Sequence, residues 1–268
     1  MAEELAAGKL LVDRPAEAVA RLRINNPAKR NALDHEILDA LAEVLARLSE
    51  GIETRCVVIA GSEGHFSAGY DIGSISEESF ESEAEALVAH PFHAAIEALA
   101  AHPWPTVAAI EGDCLGGGLE LALTCDLRVC AAGARLGMPP VKLGLIYGHT
   151  GLRRFLDTIG VAHTRELFLT AANVGSHRAL EIGLVNYTVK EGDVERGSVK
   201  LAERVASNAP LSLRGNKQAI TMLSENPVLS DEQERELIEL RESCFASEDF
   251  REAITAFREK RKPQWRGR

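Results

Sequence analysis

The chain has 268 residues, a formal charge of −10, and a composition that is 46% hydrophobic and 26% charged. That length buries a sizeable core in one large domain or two small ones, and the apolar and charged shares are those of ordinary globular enzymes. The acidic balance argues against a general nucleic-acid or anionic-membrane surface, since both need a basic face, and leaves room for a local basic pocket only.

Five cysteines, Cys56, Cys114, Cys125, Cys130 and Cys244, form an odd set without a C-x-x-C pair. They read as free thiols in a reducing compartment, not as a disulfide framework or a zinc site, and no metal is expected. The first residues, MAEELAAGKLLVD, are acidic where a signal peptide needs basic residues. No stretch approaches the roughly 20 apolar residues of a membrane span. These features predict a cytoplasmic protein with neither membrane nor nucleic acid as partner.

Along the chain, residues 9–13 and 17–24 straddle Pro15 and predict a hairpin, which Asn25-Asn26-Pro27 ends. From Asp34 to Ser49 the apolar residues Ile37, Leu38, Leu41, Val44, Leu45 and Leu48 recur at helical spacing, with Asp34 as N-cap and Gly51 after the end. Cys56–Ala60 is a short β-branched run, as expected of a buried strand. A loop with Gly61, Gly64 and Gly69 follows. Residues 75–86, rich in Glu and Ser, predict a mobile, solvated segment. A helix over 87–101 leads to a strand at Thr106–Ile110, a helix opened by Gly116-Gly117-Gly118, and a strand at Asp126–Ala131. Beyond Gly151 the strand signals thin out, and helices are predicted over 151–159, 163–170, 176–182, 193–208, 210–224, 231–247 and 249–260. The organisation expected is a core domain over 1–205 and a helical C-terminal region over 206–268.

Two segments could carry chemistry. His65-Phe66-Ser67-Ala68-Gly69-Tyr70-Asp71-Ile72 follows a buried strand, and its small residues let a ligand approach the backbone, although a plain surface turn fits as well. In Glu111-Gly112-Asp113-Cys114-Leu115-Gly116-Gly117-Gly118-Leu119-Glu120, three glycines open a helix. Each glycine costs a helix about 1 kcal/mol against alanine. They make sense where backbone N–H groups must meet an anion at the positive end of the helix dipole. A phosphate loop would need Gly-Lys-Ser/Thr next, which is absent here; a merely structural turn stays open.

Taken with Asn26–Leu33, Leu143-Gly144 and Ala179–Val185, these segments occur in the order and spacing of the crotonase (enoyl-CoA hydratase/isomerase) superfamily, which the chain resembles nearly end to end. The resemblance implies an α/β crotonase fold: a spiral of β-β-α units with a helical C-terminal trimerisation region, assembled as a homotrimer or homohexamer. It implies an acyl-CoA thioester as substrate and no cofactor beyond the coenzyme A of that substrate. The thioester oxygen would sit between the N–H groups of Tyr70 and Gly117, and Ala68, Gly69, Asp71 and Ile72 would line the coenzyme A path. Lys29, Arg30 and Lys260 are the candidates for its phosphates, with Arg258, Arg261 and Lys262 as rivals to Lys260 and a solvated tail as the plain alternative. Asp71 is expected to hold the loop that presents the Tyr70 N–H. Asp126 is expected to pack or cap at a strand start, and His149 to be a loop residue outside the chemistry.

Hydratases of that superfamily carry two glutamates. The first matches Glu120; the position of the second is Pro140, which can neither give nor take a proton. Loss of a positioned acid–base group costs about 10²- to 10⁴-fold. Within the superfamily the chain is similar to the methylmalonyl-CoA decarboxylases, which also lack the second glutamate, through Leu143–Tyr147, Arg178-Ala179-Leu180 and the tail from Ser247 to Pro263. That likeness makes Tyr147 the partner of a substrate carboxylate. It favours decarboxylation of a 2-carboxyacyl-CoA, with a single-glutamate hydratase or isomerase and a non-catalytic CoA-binding protein as alternatives. Pro139 departs from the threonine expected there.

Overall fold

The structure, a computed structural model, describes residues 2–71, 91–226 and 228–268. Its strands are β1 (Glu3–Leu5), β2 (Leu10–Ala16), β3 (Val19–Ile24), β4 (Cys56–Gly61), β5 (Thr106–Ile110), β6 (Asp113–Leu115), β7 (Leu127–Ala131), β8 (Arg135–Gly137), β9 (Val174–Gly175) and β10 (Tyr187–Val189). Its helices are α1 (His35–Leu48), α2 (His93–Ala100), α3 (Gly117–Thr124), α4 (His149–Thr170), α5 (Ser176–Glu181), α6 (Val194–Ala206), α7 (Pro210–Glu225), α8 (Asp231–Ala246) and α9 (Glu248–Glu259).

The main sheet has the order β1-β2-β3-β4-β5-β7-β10, antiparallel from β1 to β3 and parallel from β3 onward. A small sheet, β6-β8-β9, stands beside it. Parallel strands buried on both faces read as unbroken apolar runs, and β4 is one. Val57 and Ile59 join the core under α1 and α2, while Cys56, Val58 and Ala60 join Val194, Ala202 and Ala206 of α6 on the opposite face. Successive side chains of β5 divide the same way, Ala108 and Ile110 from Val107 and Ala109.

The chain leaves β5, adds β6 to the small sheet and enters α3, then returns as β7. This turn places the start of α3 at the carboxyl ends of β4 and β5, where the loop after β4 also arrives. Asp34 caps α1 by accepting from Ile37 N at 3.0 Å, as expected.

Some expectations are corrected. The predicted hairpin gains a third strand, β1, and three short strands, β8, β9 and β10, follow β7; at two or three residues each they are too short to leave a period in the sequence. The two helices expected over 151–159 and 163–170 are present as the two arms of α4, which part at Gly160 with a non-helical φ of 70° and ψ of 172°. Of the helix predicted over 87–101, α2 begins at His93, and residues 87–90 lie outside the described residues, as do the segment 75–86 and Ile72.

From Pro210 the chain runs through α7, α8 and α9. Lys217 of α7 donates to Trp104 O at 3.1 Å and to Asp126 Oδ2 at 2.7 Å, tying these helices to the start of β5. The last residues fold back on α9: Asp249, buried, accepts from the backbone N–H groups of Arg266 and Gly267 at 2.7 and 3.0 Å. Among the described residues, no helix is long and apolar enough to cross a membrane.

Candidate active site

The loop after β4 is held from two sides. On one, Phe66 and Ser67 donate to Asp113 O at 3.0 Å and Leu115 donates back to Ser67 O at 3.0 Å, so Ser67 pairs with Cys114 of β6. On the other, Leu33 N donates to Gly69 O at 2.7 Å and Asp71 N to Leu33 O at 2.9 Å. In such a parallel bridge the residue between the two bonded neighbours turns its own N–H to the opposite edge. The Tyr70 N–H therefore faces away from Leu33, and among the described residues it meets no backbone acceptor.

The glycines of α3 serve different ends. Gly116 has φ 54° and ψ −125°, a conformation closed to residues with a Cβ. A Cβ on Gly118 would lie 2.7 Å from Ser67 O, and one on Gly69 would lie 2.8 Å from Leu115 O and 3.3 Å from Gly117 N. The loop and the helix start thus touch along their backbones. Gly117 is the first residue of α3, and its N–H also lacks a backbone acceptor among the described residues. Two such N–H groups on adjoining segments, one at the positive end of a helix, suit an oxygen that carries developing negative charge.

Glu120 follows one turn later on the same helix and is 4% exposed. The Tyr147 hydroxyl donates to Glu120 Oε2 at 2.5 Å, and the Tyr70 hydroxyl lies 3.4 Å from that of Tyr147. Burial raises the proton affinity of Glu120 above that of an ordinary carboxyl; the Tyr147 hydrogen bond and the Arg154 charge oppose this without cancelling it. Burial likewise raises both tyrosine hydroxyls, so they act here as neutral donors and acceptors. Gly151, in the first turn of α4, closes this cluster: a Cβ there would lie 2.6 Å from Tyr147 Cε1 and 2.7 Å from Glu120 Oε2. Phe168 packs edge-on against Tyr147 at 5.7 Å and Phe92 against Tyr70 at 4.7 Å.

The structure therefore brings Tyr70, Gly117, Glu120 and Tyr147 together. Ala68 and Gly69 belong to the same threaded segment. Asp71, buried, accepts from Lys29 Nζ at 2.6 Å, which anchors the loop as expected. Arg30 donates to Asp113 at 3.0 Å. Lys260 ends α9 in the left-handed conformation, and no described contact joins it to the cluster. Asp126 accepts from Thr106 N at 2.7 Å, as expected, whereas His149, expected in a loop, is the exposed first residue of α4. Pro140 opens a short 3₁₀ turn, Pro140–Leu143. Burial pushes the thiols of Cys56, Cys125 and Cys130 up to about 12, which leaves them inert as nucleophiles.

Sequence reasoning missed Gly151 and Asp113. Gly151 shows only as a glycine, and its closeness to Glu120 is a matter of packing. Asp113 is fully buried and bracketed by Arg30 and by Arg135 at 2.6 Å, with His65 at 3.6 Å, and the three-residue strand that it opens carries no signal in the sequence.

A family model described as enoyl-CoA hydratase/isomerase matches residues 14–268. The chain belongs to this family. It is 33% identical over 249 residues to the short-chain-enoyl-CoA hydratase of Clostridium acetobutylicum, covering 91% of this chain and 92% of that one. It is 35% identical over 264 residues to the human mitochondrial enoyl-CoA hydratase domain-containing protein 2, covering 95% and 87%. The crystal structure of an enoyl-CoA hydratase from Bacillus anthracis superposes with a TM-score of 0.89 at 31% identity, over 97% of this chain and 100% of that one. The expected crotonase fold is thereby shown, and the chain is an acyl-CoA-processing member of that superfamily. The special likeness to decarboxylases is not shown: these relatives are named for the hydratase reaction.

Proposed function

We propose that the chain converts a 2-enoyl-CoA thioester by hydration or isomerisation, with Glu120 as its one carboxyl acid–base group. The observation that carries this reading is Glu120 itself, buried, of raised proton affinity, and one helical turn from the open N–H of Gly117. The hydratase names of the relatives put this reaction ahead of decarboxylation.

In this reading the thioester oxygen accepts from the Tyr70 and Gly117 N–H groups, each worth about 3–4 kcal/mol in the transition state. The Glu120 carboxylate takes a proton from water while the water oxygen bonds to the β-carbon. The electron pair of the double bond moves onto the thioester oxygen, giving an enolate. The Glu120 carboxyl then returns its proton to the α-carbon, so water is added in full and the enzyme is restored. Tyr147 holds Glu120 in place through the short hydrogen bond. No cofactor beyond the coenzyme A of the substrate is needed. Its phosphates fall to Lys29, Arg30 and Lys260, the first two beside the threaded loop through Ala68 N and Arg30 O at 2.9 Å. Assembly as a trimer or hexamer agrees with apolar side chains left in solvent, Ile146 at 97% and Phe257 at 86% exposure.

A second reading, decarboxylation of a 2-carboxyacyl-CoA, is favoured by Pro140 at the place of the second glutamate and by the Tyr147–Glu120 pair. There CO₂ leaves, its bonding pair passes to the thioester oxygen, and protonated Glu120 supplies the α-proton.

The purified protein is mixed with crotonyl-CoA and, separately, methylmalonyl-CoA, and both products are followed by mass spectrometry. Hydration of crotonyl-CoA that collapses in Glu120→Gln is the expected result. Propionyl-CoA formation without hydration would replace the first reading by the second.

A further inference from the structure

An acyl group bound as proposed above starts at the Gly117 N–H and runs toward Glu120, since both lie in the first turn of α3. Residues three apart share a helix face and stand about 4.5 Å apart along the axis. The Tyr70 side chain spans that same interval. Its ring takes the space beside Gly117, where a Cβ would lie 2.6 Å from Tyr70 Cε1 and 3.0 Å from Cδ1 and Cζ. Its hydroxyl reaches to 3.4 Å from that of Tyr147, which is itself bonded to Glu120.

The ring cannot swing aside freely. Phe92, 4% exposed, backs it edge to face at 4.7 Å. Past the hydroxyl the Tyr147 ring stands as an end wall, supported by Phe168, which in turn meets Phe155 at 4.9 Å. The Tyr70 ring, packed directly against the start of α3, is then a side wall, and Tyr147 the end, of the path an acyl chain would take along that helix.

We infer that the Tyr70 side chain is the specificity-determining residue for acyl length, admitting chains of about four carbons, the reach of one helical turn. The sequence-level role of Tyr70 is its backbone N–H, which any residue supplies; this second role belongs to the ring. The inference rests on the reading that the thioester oxygen lies at the Tyr70 and Gly117 N–H groups.

The test is calorimetric binding of butyryl-CoA, octanoyl-CoA and free coenzyme A to the full-length protein, independent of turnover. Wild type binds butyryl-CoA more tightly than octanoyl-CoA. Tyr70→Ala reverses the order, because each methylene that gains apolar cover tightens binding by about four-fold. Tyr70→Phe keeps the ring and keeps the wild-type order. Should the alanine variant fail to fold, Tyr70→Leu removes the ring from beside Gly117 while retaining apolar contact with Phe92. Tighter binding of octanoyl-CoA by wild type, or an unchanged ratio in a folded Tyr70→Ala, overturns the inference. Failure of the underlying reading looks different: wild type then binds neither thioester more tightly than coenzyme A alone, and the inference falls with it.

Discussion

Replacing Gly151 by alanine adds one methyl group at the point where α4 meets the Glu120–Tyr147 pair. The new carbon would stand 2.6 Å from Tyr147 Cε1, 2.7 Å from Glu120 Oε2 and 2.9 Å from Glu120 Cδ. Ordinary contact begins near 3.4 Å, so the pair or the helix start must give way by most of an ångström. Overpacking of this kind costs about 1–3 kcal/mol, and the helical gain of alanine over glycine returns about 1 kcal/mol. The net loss of stability is therefore small, about 0–2 kcal/mol, which in a protein of this size lowers Tm by a few degrees. The loss of rate is large, because a misplacement of about 1 Å costs on the order of 10²-fold. Scanning calorimetry and kcat/KM on the substrate that wild type turns over measure the two effects separately. A Gly151→Ala variant with wild-type kcat/KM would refute the claim that this glycine exists to admit the pair.

Glu120→Gln tests the buried carboxyl through stability. Its folded-state pKa is raised by burial, so wild type is most stable with Glu120 protonated and loses that stability as pH climbs from about 4.5 through the folded value. The Tm advantage of Glu120→Gln over wild type should accordingly widen from pH 4 to pH 8; a constant difference contradicts the burial effect. Tyr147→Phe removes a hydrogen bond that lowers the Glu120 pKa, so the acid limb of the rate profile should move to higher pH, and an unmoved limb would mean the bond is absent in solution. Asp113→Asn removes the charge that pairs with the half-exposed Arg30 and Arg135, which stay solvated, and should cost about 1 kcal/mol in urea unfolding.

Much of the fold could be read from the sequence because burial leaves a period. The helical spacing in Ile37–Leu48 and the unbroken runs at Cys56–Ala60 and Thr106–Ile110 follow from which faces must avoid water, and the elements lie where those patterns put them. Short strands such as β9 and β10 have no such signature, since two or three residues cannot show a repeat; their pairing partners make them strands.

The candidate site divides along the same line. The three glycines before Leu119, the Gly69 backbone and the glutamate one turn on are local facts: the residues by themselves mark a helix start suited to an anion, and the family resemblance adds the acid–base role of Glu120. Contacts between distant segments are not local. That Tyr147 meets Glu120 across 27 positions, that Gly151 makes room for both, and that the Tyr70 ring covers Gly117 were decided by tertiary packing alone. The physical reason is that backbone conformation and amphipathic period are properties of neighbouring residues, whereas a proton affinity or the length of a groove is set by whatever the fold brings to that place.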